Sequence, residues 1–244
     1  MAKKERFYFL KLIAVIPCFN VGRSVFDLIE KTLLYVDKII LVDDCCPVNT
    51  GSLVKNKFKN NKKIIVLENK QNLGVGGAVK RGYNHALKFN CEYIVKLDGD
   101  GQMNPKYILK FKKFAEYSNG DYIKGNRFFK SKEILKMPII RLIGNIGISY
   151  LAKISTGLWH IFDFSNGYTF IKVKILKKLD LNQIKNNYFF ETDILFHLNQ
   201  VNAKVYDINI PAKYSKIKSN LKIWKIFHYF FFYNITNLFK RIFQ

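Results

Sequence analysis

Lys96 to Pro105, Lys-Leu-Asp-Gly-Asp-Gly-Gln-Met-Asn-Pro, gathers the residues best able to do chemistry. Asp98 and Asp100 stand two apart, so in extended backbone their carboxylates point the same way, and Gly99 between them leaves room for close approach. Paired carboxylates of this kind suit a hard divalent cation. Magnesium or manganese takes one or two carboxylates and fills its other positions with water and phosphate oxygens. Two plainer readings compete. Asp-Gly pairs are common turn formers, and a turn alone stays open. An EF-hand loop starting at Asp98 would need glycine in sixth place and glutamate in twelfth, where Met103 and Leu109 stand, so that reading fails.

Elements on either side must hold these acids. Glu92 to Leu97 reads as a buried strand, and Asn104-Pro105 as an N-cap followed by proline at the first helical position, so the carboxylates fall at a strand-to-helix switch. The preceding chain repeats the alternation. Leu12 to Ile16 is predicted as a strand stopped by Pro17, Ser24 to Tyr35 as an amphipathic helix, Lys38 to Val42 as a strand, Ser52 to Phe58 as a short helix, and Ile64 to Leu67 as a strand. A glycine-rich turn and a helix to about Phe89 follow. This order predicts an α/β fold, a mostly parallel sheet with helices on both faces, whose ligands bind beyond the carboxyl ends of the strands. Asn20, Asp43, Asn72 and Asp98 each follow a predicted strand.

The turn Asn72-Leu73-Gly74-Val75-Gly76-Gly77-Ala78 opens a helix and could cradle phosphate through its backbone N–H groups. It is not a dinucleotide fingerprint, because Val79 takes the sixth place after Gly74 and the turn follows the third strand. Nor is it a Walker A loop, because Gly82 precedes Tyr83-Asn84. Lys80 and Arg81 on that helix are open to either a phosphate role or plain solvation.

The 244 residues allow one sizeable core and a small appendage, and a hydrophobic fraction of 49% excludes a disordered chain. A formal charge of +23, from 41 basic and 18 acidic residues, points to anionic partners: nucleotides, lipid phosphates, a membrane surface or nucleic acid. Cys18, Cys45, Cys46 and Cys91 show neither a CxxC pair nor disulfide spacing, which fits reduced residues of a cytosolic protein. Met1 to Val15 has basic residues before an apolar run, as a signal peptide does, but Lys11 interrupts it and no small-residue cleavage site follows; a strand fits better. No uncharged apolar run approaches the roughly 20 residues of a spanning helix.

Several motifs in order then carry a resemblance. Ile16-Pro17-Cys18-Phe19-Asn20, Val42-Asp43-Asp44, Asn72-Leu73-Gly74 with Gly76-Gly77-Ala78, and Asp98-Gly99-Asp100-Gly101-Gln102 resemble the family 2 glycosyltransferases of the GT-A fold. Gly125-Asn126-Arg127-Phe128, Asn166-Gly167-Tyr168, Phe190-Glu191-Thr192-Asp193 and Ile210-Pro211-Ala212-Lys213-Tyr214 extend the resemblance over nearly the whole chain. It implies a nucleotide-sugar donor and a Mg2+ or Mn2+ cofactor. Pro17, Phe19 and Asn20 would line the nucleoside pocket, and Asp43 would contact base or ribose. Asp44, Asn72, Gly74, Gly77, Lys80, Asp98 and Gly99 would complete the donor site, with Arg127 as a cation near the phosphates. Asp98 and Asp100 would form the metal site, joined by Gln102.

Two branches resemble this chain most. It departs from the dolichol-phosphate mannosyltransferase-like branch at Val21, where that branch has glutamate, and at Thr169, where it has arginine. The expectation is therefore the bacterial branch that builds lipid-linked surface polysaccharides, with inverting transfer to a lipid-linked saccharide. A polyprenyl phosphate acceptor is the alternative. A hydroxyl acceptor benefits from a general base, whereas an ionised phosphate needs none. Glu191 matches the catalytic carboxylate of hydroxyl-glycosylating members, and Asp193 matches a glutamate of the polyprenol-phosphate branch. The expectation is Glu191 as base with Asp193 as the other candidate; both acids simply capping or pairing at a helix start is the plain reading.

Residues 1–215 are expected to form the catalytic domain, with a helical stretch over 132–161 that reads equally as a core helix or as a membrane-proximal insertion, and 216–244 an amphipathic tail. In that tail Ile223, Phe227, Phe230, Phe231, Leu238 and Ile242 recur at helical spacing, opposite Lys222, Lys225, Tyr229, Thr236 and Lys240. The pattern predicts a helix lying on an anionic membrane, peripheral on its cytoplasmic face; docking on its own domain or on a second copy of the chain is the competing reading. A nucleic-acid-binding protein is the rival suggested by charge, but no RRM, KH, zinc-finger or helix-turn-helix signature occurs. A nucleotidyltransferase is the rival among enzymes with paired aspartates.

Overall fold

The computed structural model describes residues 12–128, 139–211 and 223–243. The start of the predicted insertion, the Ala212-Lys213-Tyr214 motif, the proposed domain boundary at 215/216 and the tail residues Leu221, Lys222 and Gln244 lie outside them. In chain order the elements are β1 (Leu12–Cys18), α1 (Val25–Thr32), β2 (Lys38–Asp43), α2 (Thr50–Lys57), β3 (Ile64–Glu68), α3 (Gly74–Ala86) and β4 (Tyr93–Lys96). Then come α4 (Ile108–Ser118), β5 (Tyr122–Asn126), α5 (Ile139–Thr156), β6 (Thr169–Lys172), α6 (Val173–Leu176), α7 (Phe190–Gln200), β7 (Val205–Asn209) and α8 (Ile223–Phe243).

Among the described residues, seven strands form one sheet in the order β3-β2-β1-β4-β6-β5-β7. Every pairing is parallel except those of β6, which runs antiparallel to both β4 and β5. Strand periodicity divides the core. Ile13, Val15, Ile40, Val42 and Ile94 pack with Val79 and Tyr83 of α3 on one face, while Leu12, Ala14, Ile16, Ile39, Leu41 and Val95 pack with Leu28 and Ile29 of α1 and Phe111 of α4 on the other.

Pro17 does not stop β1, as the sequence had suggested. It lies in register with Val42, and its carbonyl accepts the Gly99 N–H at 3.2 Å. Having no N–H, Pro17 joins this pairing through its carbonyl alone. β1 therefore reaches the same end of the sheet as β2 and β4, and β6, being reversed, begins at that end. The loops that carry Phe19, Asp44, Asp98, Arg127 and Gly167 converge there.

Asp207 of β7 is an ionisable cost within this frame. Its Oδ2 accepts from the Phe162 N–H at 2.7 Å and the Asn126 amide at 3.1 Å, while Oδ1 has no hydrogen-bond partner among the described residues. Burial pushes its carboxyl up to about 6. A folded value above the ordinary ~3.9 means that the folded chain holds this proton more tightly, so the penalty grows as pH rises through 4 to 6 and is complete above. Asp207→Asn is expected to raise the melting temperature more at pH 8 than at pH 4.5; equal gains at both would contradict this.

Candidate active site

Two adjoining cavities open at the carboxyl end of the sheet. One, of about 430 Å3, is lined by Pro17, Phe19, Asp44, Asn72, Gly74 and Glu191 among others. Its neighbour, of about 510 Å3, is lined by Gln102, Lys106, Tyr107 and Arg127 among others. Asp98, Asp100, Ser165, Gly167 and Tyr188 border both.

Asp98 and Asp100 thus share one wall. Leu97 and Gly99 donate their N–H groups to Val15 and Pro17, extending the strand pairing past β4, and the chain turns at Asp100. Gly99 is required by its own scaffold, because a Cβ there would meet Cys18 Sγ at 2.6 Å. Asp100 Oδ1 accepts the Gln102 N–H at 3.0 Å, and burial pushes the Asp100 carboxyl above its ordinary range. An acid whose charge is penalised by burial, next to a second carboxylate and a side-chain amide, is a hard oxygen donor set that a divalent cation would relieve. No group of three or more His, Cys, Asp or Glu side chains among the described residues could hold a metal alone, so water or ligand phosphate would complete the coordination.

Beneath the acids lies a charged floor that sequence reasoning missed. Lys96 and Lys124 lie in register with the same residue, Thr169 of β6, and so form one row across three strands. Both are fully buried. Lys96 Nζ bridges Asp98 Oδ1 at 2.7 Å and Glu191 Oε1 at 2.6 Å; Lys124 Nζ lies 3.7 Å from Glu191 Oε2 and donates to the Asn166 carbonyl. The signal was present as lysine inside Tyr-Ile-Val-Lys-Leu and Tyr-Ile-Lys-Gly, where a strand core would carry an aliphatic residue.

Other expected site residues fall differently. Asp43 does not border the cavities; its oxygens accept the Cys46 and Gly51 N–H groups at 2.6 and 2.5 Å and so shape the turn into α2. Asp44 does border a cavity and accepts from the Asn69 side chain and the Leu73 N–H. Asn20 has a left-handed backbone (φ 57°), donates its N–H to Cys46 Sγ and does not line either cavity, whereas Phe19 beside it is 51% exposed on the cavity wall.

The glycine-rich turn is not an open phosphate cradle. A Cβ on Gly74 would meet the Asn186 carbonyl at 2.7 Å, one on Gly76 would run into the Lys185 carbonyl, and Gly77 donates its N–H to Asn186 at 3.1 Å. These glycines let α3 press against the 185–187 segment. Lys80 is likewise turned away, donating to the Ile184 carbonyl at 2.6 Å, with burial pushing its ammonium down. Arg127 borders the second cavity, fixed by a two-pronged pair with Asp163 at 2.7 and 2.9 Å. Of the two acids on α7, Glu191 reaches the cavity. Asp193 does not: its oxygens accept from the Lys185 N–H and the Asn237 amide, both at 2.8 Å, which corrects its expected catalytic place.

The sequence model of glycosyl transferase family 2 matches residues 13–180, spanning β1 to beyond β6. The chain belongs to that family. Among the relatives of this transferase, a UDP-N-acetylglucosamine–dolichyl-phosphate N-acetylglucosaminyltransferase of Methanococcus voltae is 27% identical over 68% of the chain and 70% of its own length. A polyprenol monophosphomannose synthase of Mycolicibacterium smegmatis is 22% identical over 73% of the chain and 66% of its own length. A structure of glucosyl-3-phosphoglycerate synthase from Mycobacterium tuberculosis, solved with Mn2+, UDP and glucosyl-3-phosphoglycerate, shares the fold of the transferase. It superposes with a TM-score of 0.67 at 14% identity, over 96% of this chain and 80% of that one. The α/β sheet is therefore that of the GT-A glycosyltransferases, and the chain is an enzyme of that class. Family membership displaces both rivals, the nucleic-acid-binding protein and the nucleotidyltransferase.

No helix among the described residues is long and apolar enough to cross a membrane. α8 packs along α5, and its predicted apolar stripe is split. Phe230 is buried, but Phe231 and Ile242 are exposed, while Asn234 and Asn237 point inward. Side chains of 223–227, including Phe227 and Lys225, lie outside the description.

Proposed function

We propose that this transferase moves a sugar from a nucleoside diphosphate donor to a polyprenyl phosphate, with inversion, at a lipid surface. The observation that carries the acceptor is the state of Glu191. A general base must offer an oxygen to the incoming proton, yet Glu191 Oε1 is held by Lys96 and its Oε2 faces Lys124. Taking up a proton there would break a buried ion pair and leave lysine charge uncompensated, which is costly. A phosphate monoester is largely ionised near neutral pH and needs no base. Arg127 and Lys106 put cations on the second cavity, where an anionic acceptor would lie. The relatives named as dolichyl-phosphate and polyprenol sugar transferases support the same class of acceptor, and the lipid-linked saccharide expected from Val21 and Thr169 is the competing reading.

In this reading Pro17, Phe19 and Asp44 receive the nucleoside, and Asp98, Asp100 and Gln102 would hold Mg2+ or Mn2+, which when bound neutralises charge developing on the departing diphosphate. Lys96 fixes Asp98 from below, and Arg127, oriented by Asp163, steadies the acceptor phosphate. A phosphate oxygen forms the new bond to the anomeric carbon as the bond to the nucleoside diphosphate breaks. Exposed aromatics on α8 and around α5 (Phe231, Phe232, Phe239, Tyr150, Trp159, Phe162) would seat the protein on an anionic membrane.

One observation favours the competing hydroxyl acceptor: Glu191 Oε2 is buried with no hydrogen-bond partner among the described residues. The test incubates the full chain and Mn2+ with labelled nucleotide sugars and vesicles holding either polyprenyl phosphate or a polyprenyl-diphosphate-linked saccharide. Label is expected on the monophosphate lipid; label on the saccharide lipid alone would overturn the proposal.

A further inference from the structure

The segment from Lys185 to Phe189, between the charged floor and α7, brings Asn187 and Tyr188 to the cavities and leads directly into Glu191. Tyr188 is 60% exposed and borders both cavities, so it faces donor and acceptor alike. The segment lies outside helix and strand, so it depends on its neighbours for its shape. From α3 it is held by the Gly77 N–H on the Asn186 carbonyl and by Lys80 on the Ile184 carbonyl.

From behind it is held by α8. Asp193, 1% exposed, accepts the Lys185 N–H with Oδ2 and the Asn237 amide with Oδ1. The Phe189 ring meets Phe230 at 5.1 Å and Tyr233 at 5.2 Å between centroids, and the Lys185 ammonium lies 5.0 Å from the Tyr233 ring. α8 carries buried Phe230, Asn234 and Asn237 on this side and exposed Phe231, Phe232 and Phe239 on the other, so its docked face is partly polar. Buried amides are costly unless bonded, and both are bonded: Asn234 Oδ1 accepts from the Ser155 hydroxyl at 2.6 Å, and Asn237 donates to Asp193.

We infer that α8 is a positioning element of the active site: through Asn237 and Asp193 it fixes the 185–189 segment that brings Tyr188 to the cavities and leads into the helix start carrying Glu191. Asn237 touches no substrate and acts through Asp193. The inference rests on membership of the family, not on the identity of the acceptor.

The test uses the full chain with Asn237→Asp, which sets two carboxylates face to face, and the exchange Asp193→Asn with Asn237→Asp, which restores one donor opposite one acceptor. Nucleoside diphosphate release from donor sugar, which needs no particular acceptor, is read beside amide hydrogen exchange. Asn237→Asp is expected to slow release about tenfold or more and to speed exchange over 185–189 about tenfold, with β1 and β4 unchanged. The exchanged pair is expected to return both to within about threefold of the parent. Should the aspartate variant not fold, Asn237→Ala is expected to change both readouts in the same direction. Faster segment exchange with unchanged release would overturn the inference, as would slowed release with the segment as protected as before. A failure of the polyprenyl phosphate assay leaves these readouts intact, so the two proposals fail separately.

Discussion

Asp100→Asn in the full chain is expected to lower sugar transfer on the order of 100-fold or more while leaving the melting temperature of the metal-free protein unchanged or higher. The asymmetry follows from what Asp100 does for the fold. Its Oδ1 accepts the Gln102 N–H, which an asparagine oxygen accepts equally well, and burial works against its charge. Removing that charge therefore relieves the apoprotein and strips the cation site of half its carboxylates. Manganese is expected to raise the melting temperature of the parent and not that of the variant, and EDTA to silence the parent reversibly. Full activity of the parent in EDTA would sink the metal-dependent reading.

Glu191→Gln separates the two readings of the acid at the cavity floor. If Glu191 serves as the counter-ion of Lys96 and Lys124, its neutralisation leaves two buried ammonium groups with too little negative charge, and stability should fall by about 3 kcal/mol. Transfer to a phosphate acceptor, measured well below the melting temperature, should remain within about tenfold of the parent. If it is instead the base for a hydroxyl acceptor, turnover should fall about 100-fold or more with stability and donor binding nearly unchanged. The first pattern is the one expected; the second would return the acceptor to a lipid-linked saccharide. Urea denaturation beside steady-state kinetics distinguishes them.

The N-terminal half was legible because its strands are apolar runs closed by loop residues. β1 to β4 each fall within a residue or two of the pattern, and the acids after β4 stand where the pattern put them. Past Leu97 the legibility fades, since β5, β6 and β7 carry Lys124, Asn126, Thr169 and Asp207 in their ladders, and these interrupt the periodicity that marks a strand. The polar interruptions are the buried ion-pair and hydrogen-bond network itself. The glycine turn misled for a related reason. A helix start rich in glycine is equally suited to an anion or to the backbone of another segment, and which of the two approaches is a tertiary fact. Likewise Glu191 and Asp193, two apart at the start of α7, look equivalent in sequence. Helical geometry turns one toward the cavity and the other toward α8.

The reversed strand in the middle of the sheet bears on how the chain is made. β6 lies between β4 and β5, so β4, complete by residue 96, waits for residues 169–172 before its second edge is covered. Until that stretch has been synthesised and threaded in antiparallel, the β1–β4 unit presents Tyr-Ile-Val-Lys as an open edge, apolar and ready to pair with another chain. The large sequence separation slows this closure relative to the pairing of β1 with β2. Translation stalled or truncated before Thr169 should therefore leave fragments that aggregate or occupy chaperones, while truncation after Lys172 leaves that edge covered.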